Sequence, residues 1–344
     1  INMSRILFPS SCNPEKIFNF CNEIEKHSGQ QQITIDFSHM GRIEPFTMVY
    51  VAKHIRDFHR KQKKNIDGFK LFCSGHENKD YAANMAFFRA FGLKHGREPG
   101  CTDGNNNFVP FTILRVQTVI DEANDKYTEV QEIVEERSGK LAKILARQEE
   151  GDLIDALTFS IREIMRNVVE HSDSKVIEYC AQYWPSYDRV EITISDNGIG
   201  MKKSLSKNPY IEADNDSEAI QLALMPSISS KNFKGARINT RNPWHNSGFG
   251  LYMISRICKL GGSFLICSGD HAIYLDEHGK KHIELGHYHE GTVVRMVLNT
   301  KKLGSLSSML TQFKEDGYKI AAEIKHTGVY TASAASQMLS RDFK

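Results

Sequence analysis

Glu163 and Asn167 stand four residues apart in a stretch whose apolar residues, Leu153, Ile154, Leu157, Ile161, Ile164, Met165 and Val168, recur at helical spacing. On a helix that separation sets a carboxylate and an amide one turn apart on the same side. An amide oxygen is a hard, neutral ligand of the kind Mg2+ accepts, and the carboxylate can orient or deprotonate an attacking water. Taken alone, the pair would equally suit a solvated helix surface, with Glu163 paired to Arg162 or Arg166. Further on, Val190-Glu191-Ile192-Thr193-Ile194-Ser195 alternates like a strand and delivers Asp196-Asn197-Gly198-Ile199-Gly200-Met201. Two spaced glycines let the backbone approach a flat ligand closely, and Asp196 can accept a hydrogen bond from an exocyclic amine such as that of adenine. Next, Asn246-Ser247-Gly248-Phe249-Gly250-Leu251 runs into a helical segment that ends at Gly261-Gly262. A glycine-rich loop opening a helix directs free N–H groups and the helix dipole at an anion. Gly291-Thr292 opens a last strand, Val293 to Leu298.

These four pieces, in this order over about 150 residues, resemble the N box and the three glycine boxes of the GHKL superfamily: gyrase, heat-shock chaperones, histidine kinases and MutL. The resemblance implies ATP and Mg2+ as ligands. Asn167 would hold the metal, and Glu163 would act as general base. Asp196 would read adenine, with Gly198, Gly200 and Met201 lining the base pocket. Ser247, Gly248, Phe249, Gly250 and Leu251 would contact phosphates, and Thr292 would support the adenine side through a water. Residues 202–247, polar and rich in Lys, Asn and Ser, would contain a lid that closes over nucleotide. Lys231, Lys234, Arg237 and Arg241 are its candidate γ-phosphate contacts.

The elements before this constellation alternate between strand and helix. Strands are expected at 5–8, 32–37 and 69–73. Helices are expected at 14–27 (N-cap Asn13, Pro14 first), at 46–61 and at 81–91, the last closed by Gly92. The segment Ile33-Thr34-Ile35-Asp36-Phe37-Ser38, followed by Ile43-Glu44-Pro45-Phe46-Thr47, resembles the STAS domains of anti-sigma-factor antagonists. Where that family carries its phospho-accepting serine, this chain has Glu44-Pro45-Phe46-Thr47, so phosphoswitching is not implied.

The expected architecture is α/β throughout: an N-terminal STAS-like α/β domain (4–95), a linker with one strand and a connector helix (96–150), a GHKL or Bergerat two-layer α/β sandwich (151–300) and a C-terminal extension (301–344). The connector helix, 127–148, carries an apolar stripe of Val130, Val134, Leu141, Ile144 and Leu145 that would pack on a partner or on the next domain. The extension would hold helices near 306–313 and 332–339.

Length and composition fit this plan. A chain of 344 residues exceeds what one core of ~250–300 residues sustains. With 40% hydrophobic and 25% charged residues it falls in the globular range, and a net charge of +2 gives no clear nucleic-acid signal. No apolar run approaches the ~20 residues of a membrane span, and the start lacks a signal peptide's apolar region. The seven scattered cysteines form no Cys-x-x-Cys pair, which points to buried free thiols and a cytoplasmic setting. His282, His287 and His289 read as a solvated strand edge, with a metal site as the alternative.

The function expected is slow Mg2+-dependent ATP hydrolysis coupled to lid closure and to contacts with protein partners, a homodimer among them. An anti-sigma-type serine kinase and a non-hydrolysing nucleotide switch are the alternatives. A histidine-kinase reading is disfavoured, because helix 127–148 contains no acceptor histidine.

Overall fold

The computed structural model describes residues 4–100, 107–237, 247–303, 306–324, 326 and 328. In the N-terminal unit, β1 (Ser4–Leu7), α1 (Pro14–Lys26), β2 (Gln32–Asp36), α2 (Pro45–Asn65) and β3 (Lys70–Ser74) give a parallel three-stranded sheet in the order β1-β2-β3. Asn13 caps α1 by accepting the Lys16 amide at 2.9 Å. The single helix expected at 81–91 is instead two short ones, α3 (Asp80–Asn84) and α4 (Phe87–Ala90), broken where Ala86 turns left-handed at φ 64°. Met85, Ala86, Phe87 and Phe88 are buried in succession. One helical stripe cannot bury four consecutive residues, so the chain turns to do it.

The second unit contains β4 (Phe108–Arg115), α5 (Val116–Lys126), α6 (Val130–Ala146), α7 (Asp152–His171), β5 (Val176–Trp184), β6 (Arg189–Asp196), α8 (Gly200–Leu205), α9 (Asp216–Ala223), α10 (Gly250–Cys258), β7 (Ser263–Asp276), β8 (Gly279–Asn299) and α11 (Leu306–Glu323). Its five strands are antiparallel in the order β4-β5-β6-β8-β7. Residues 108–146, read from the sequence as linker and connector, are part of this unit. β4 is the edge strand paired to β5, and α6 lays Val134, Leu141 and Leu145 into the same core as α7. The apolar stripe of α6 therefore serves its own chain. Gly151, at φ 125°, holds the N-cap position of α7, and Asp152 is its first helical residue. Residues 200–223, mostly inside the expected lid, fold in part as α8 and α9. α11 outruns its expected end, and the Tyr318 ring meets Phe249 at 5.6 Å. The helix expected at 332–339 lies outside the described residues, as do Cys101 and Arg241.

Strand alternation gives the sheet two different faces. Ile177, Ala181, Ile192, Ile194, Phe264, Ile266, Val294 and Met296 face a core shared with α7 and α10. Cys180, Leu265, Cys267 and Val293 face the N-terminal unit and share its core. Charged residues of that second face find partners across the contact. Arg56 on α2 grips both oxygens of Glu178, at 2.6 Å to Oε2, and Glu191 accepts the Phe46 amide at 3.0 Å. Arg189 and Arg295 lie between Glu44 and Glu191. His287 and His289 also point inward here, 8% and 3% exposed, and only His282 is at the solvated edge that the sequence proposed for all three. No helix among the described residues is long and apolar enough to cross a membrane.

Candidate functional site

The residues singled out in the sequence converge on one cavity of about 930 Å³, open solvent at its mouth included. One wall is α7, through Glu163, Asn167 and His171. The sheet supplies Asp196 from the end of β6 and Thr292 from within β8, and α8 adds Gly200 and Met201. The segment around Ser229 and Ser230 closes another side, together with Ser247, Gly248, Gly250 and Leu251. Two expected residues stand behind the wall. Gly198 presses on the Ser172 carbonyl so closely that a side chain there would overlap it. Phe249 is fully buried between Tyr252 and Tyr318.

Asp196 ends β6 at 4% exposure. Its Oδ1 accepts the Gly198 amide at 2.7 Å, and the Thr292 backbone also donates to the carboxylate. Those donors do not offset the loss of water, and burial pushes the carboxyl up to about 7. The group is therefore a buried acceptor with capacity left for a donor such as an exocyclic amine.

At the other end, Glu163 is 5% exposed and its Oε1 accepts from Arg162 Nε at 3.3 Å and Arg166 Nη1 at 3.2 Å. The arginine pairing weighed from the sequence thus exists, but inside the cavity wall and not on a helix surface. The other oxygen lies against Gly250, where a β-carbon would collide with it. Only glycine lets the N-terminus of α10 come this near the carboxylate. Among the described cations of the expected lid, Lys207 is ion-paired to Asp173 at 2.8 Å, and both it and Lys231 lie near enough to act electrostatically on His171.

Three further sets of residues escaped the sequence reading. Ser268 on β7, fully buried, accepts the Met201 amide at 2.9 Å and donates to the Gly291 carbonyl at 3.1 Å, tying two glycine-bearing turns together. His171 puts Nδ1 3.0 Å from Ser230 Oγ, and burial lowers its imidazole to about 4, so it is neutral near pH 7. Asn208 and Asn232 donate to the carbonyls of Ser229 and Ser227, both at the base of the expected lid. A serine in a strand and asparagines in a polar loop give no periodic signal. His171 could have been found by continuing the Glu163–Asn167 face one more turn.

A family model described as histidine kinase-, DNA gyrase B-, and HSP90-like ATPase matches residues 153–302. No curated protein and no solved structure matches the chain. The matched span takes in every cavity-lining residue named above, and its α/β sandwich is the fold of that family. Residues 153–302 are accordingly a GHKL ATPase domain.

Proposed function

We propose that the protein binds ATP with Mg2+ in this cavity and hydrolyses it slowly, with Glu163 as general base and Asn167 as metal ligand. The carrying observation is that Glu163 meets the glycine-bounded start of α10 in the cavity that Asn167 and the buried acceptor Asp196 also line. The residues fit the ligand: Asp196 has acceptor capacity for the base, and the α10 amides face the anionic end. Bound Mg2+ would neutralise phosphate charge and polarise the phosphoryl oxygens. The chain's own part is to hold adenine at Asp196 and Thr292, seat the phosphates at Ser247 to Leu251, and position a water at Glu163. Closure of a lid within residues 202–247, with Lys231 among its candidate cations, would be read by a protein partner or a second copy of the chain. The unbonded cysteines among the described residues suit a reducing compartment such as the cytoplasm.

Purified protein with γ-labelled ATP tests this reading. Free phosphate release that requires Mg2+ supports it, and label transferred to a protein side chain would mean a kinase. Asn167→Ala should weaken ATP binding in Mg2+ more than in EDTA, and equal losses in both would remove Asn167 as the ligand. A second reading, a switch that binds without turnover, is favoured by the double arginine hold on Glu163. Saturable binding with no phosphate released would select it.

A further inference from the structure

The inward-facing side of β8 meets α1 and α2 at a buried cluster remote from the nucleotide cavity. Cys21 on α1, His54 on α2 and His287 on β8 each bring one ligand atom within 4.8 Å of the other two, and all three residues are buried. His54 is 6% exposed. Its ring is hydrogen-bonded to the Cys21 backbone, and Nε2 has no hydrogen-bond partner. One turn beyond Cys21 on α1, Glu25 places Oε1 3.4 Å from that nitrogen. A nitrogen lone pair facing a carboxylate oxygen at this distance needs a proton or a metal cation between them. His287 is held by its other contacts, Tyr50 Oη at 2.7 Å from Nε2 and Asn22 Oδ1 at 2.6 Å from Nδ1. Whichever nitrogen turns to an ion, the residue at the opposite nitrogen keeps the ring oriented, as outer-shell partners of metal-bound histidines do.

We propose that Cys21, His54 and His287 form a zinc site, with Glu25 placed to complete a four-coordinate set. One thiolate, two imidazoles and a carboxylate are the borderline donors that Zn2+ takes tetrahedrally, and the two anions balance its charge. On binding, the Cys21 S–H bond breaks, its proton leaves to solvent, and a sulfur–zinc bond forms with no change of oxidation state. With every position filled by protein the ion is structural. It pins both long helices of the N-terminal unit to the strand that further on carries Gly291 and Thr292.

The test uses the full chain, stripped with chelator and reloaded with Zn2+ or Co2+ alone. Expected are a single equivalent of zinc retained through dialysis, a higher melting temperature on reloading, and a thiolate-to-cobalt charge-transfer band in the near ultraviolet. Cys21→Ser should abolish that band and weaken zinc binding at least ~100-fold, beyond what losing an outer-shell partner costs. His278→Gln, at an exposed histidine, should change neither. Zinc retention equal to wild type in both Cys21→Ser and His54→Gln would overturn the site. Should those variants fail to fold, the wild type decides: no charge-transfer band and no rise in melting temperature on reloading would overturn it equally.

Discussion

Ser268 Oγ accepts the Met201 amide at 2.9 Å, joining the strand β7 to the first turn after Asp196. The same hydroxyl donates to Gly291, so one buried atom fixes the spacing of the two turns that flank the proposed adenine end of the cavity. Ser268→Ala leaves the Met201 amide and the Gly291 carbonyl without this partner, a cost of ~1–3 kcal/mol. The expected outcome is a loss of ATP affinity of about tenfold together with a lower denaturation midpoint. Calorimetric titration checks it, and unchanged affinity would show that the turn spacing does not govern base binding.

Asp196 predicts a pH dependence. Burial lifts its carboxyl from 3.8 to about 7. A group whose folded value is raised contributes stability that is full below the unfolded value and lost as pH rises through the folded one. The ligand-free protein should therefore lose stability between about pH 4 and 7 relative to Asp196→Asn. If the ionised acceptor is what adenine selects, affinity should rise from pH 6 to 8 and protons should be released on binding. Adenosine is the right probe, because it carries no phosphate that titrates in that window. Asp196→Asn should bind it more weakly, by about tenfold, and without the pH slope, since its amide would turn a donor toward a donor. A wild-type affinity that is flat with pH would refute the ionised-acceptor account.

The fold was legible wherever a residue's partner lies nearby in sequence. Asn13 before Pro14, the run Val190 to Ser195 and the turn at Gly198 and Gly200 are local signals, and each element lies within a few residues of its expected place. The four motifs of the site were legible because glycines at close approaches are fixed by sterics, as Gly250 is by Glu163. What depended on distant partners was not. β4 looked like part of a linker because its pairing with β5 spans a long stretch of chain. Glu178, Glu191 and Arg295 are charged residues of strands, and nothing near them in sequence says that all three are buried under α2 or its flanks. His287 and His289 misled for the same reason: alternation says which residues share a face, not whether that face meets water or another unit.

That second face carries a stability prediction. Glu178 is 2% exposed, and both its oxygens are bound by Arg56, which also donates to the Ala90 carbonyl at 2.6 Å. Arg56→Ala strands a buried carboxylate, and breaking one side of such a pair costs ~3–5 kcal/mol. Adding Glu178→Gln removes the stranded charge and should recover a large part of the loss. Urea denaturation of the full chain measures both. A cost under ~1 kcal/mol for Arg56→Ala, ordinary for an exposed pair, would mean that the units are not joined through this contact.

Glu163 gives the test of mechanism, and its surroundings dictate which variant to use. Arg162 and Arg166 both donate to Oε1, and both are buried, so Glu163→Ala would strip an acceptor from two guanidinium groups and disturb α7 whatever its role in chemistry. Glu163→Gln keeps an acceptor oxygen for the arginines and nearly the same shape against Gly250, while removing the base. If Glu163 activates water, this variant should bind ATP within a few-fold of wild type and lose ~10²–10⁴-fold in turnover. ATP would then persist in the cavity, and any assembly that forms on lid closure should accumulate and become visible by sedimentation. Gly250→Ala supplies an independent handle: its β-carbon collides with the Glu163 carboxylate, so it should impair turnover while sparing the Asp196 end of the site and hence adenosine binding. Should Glu163→Gln release phosphate as fast as wild type, the carboxylate is a structural ion pair within α7, and the water must be activated elsewhere in the cavity.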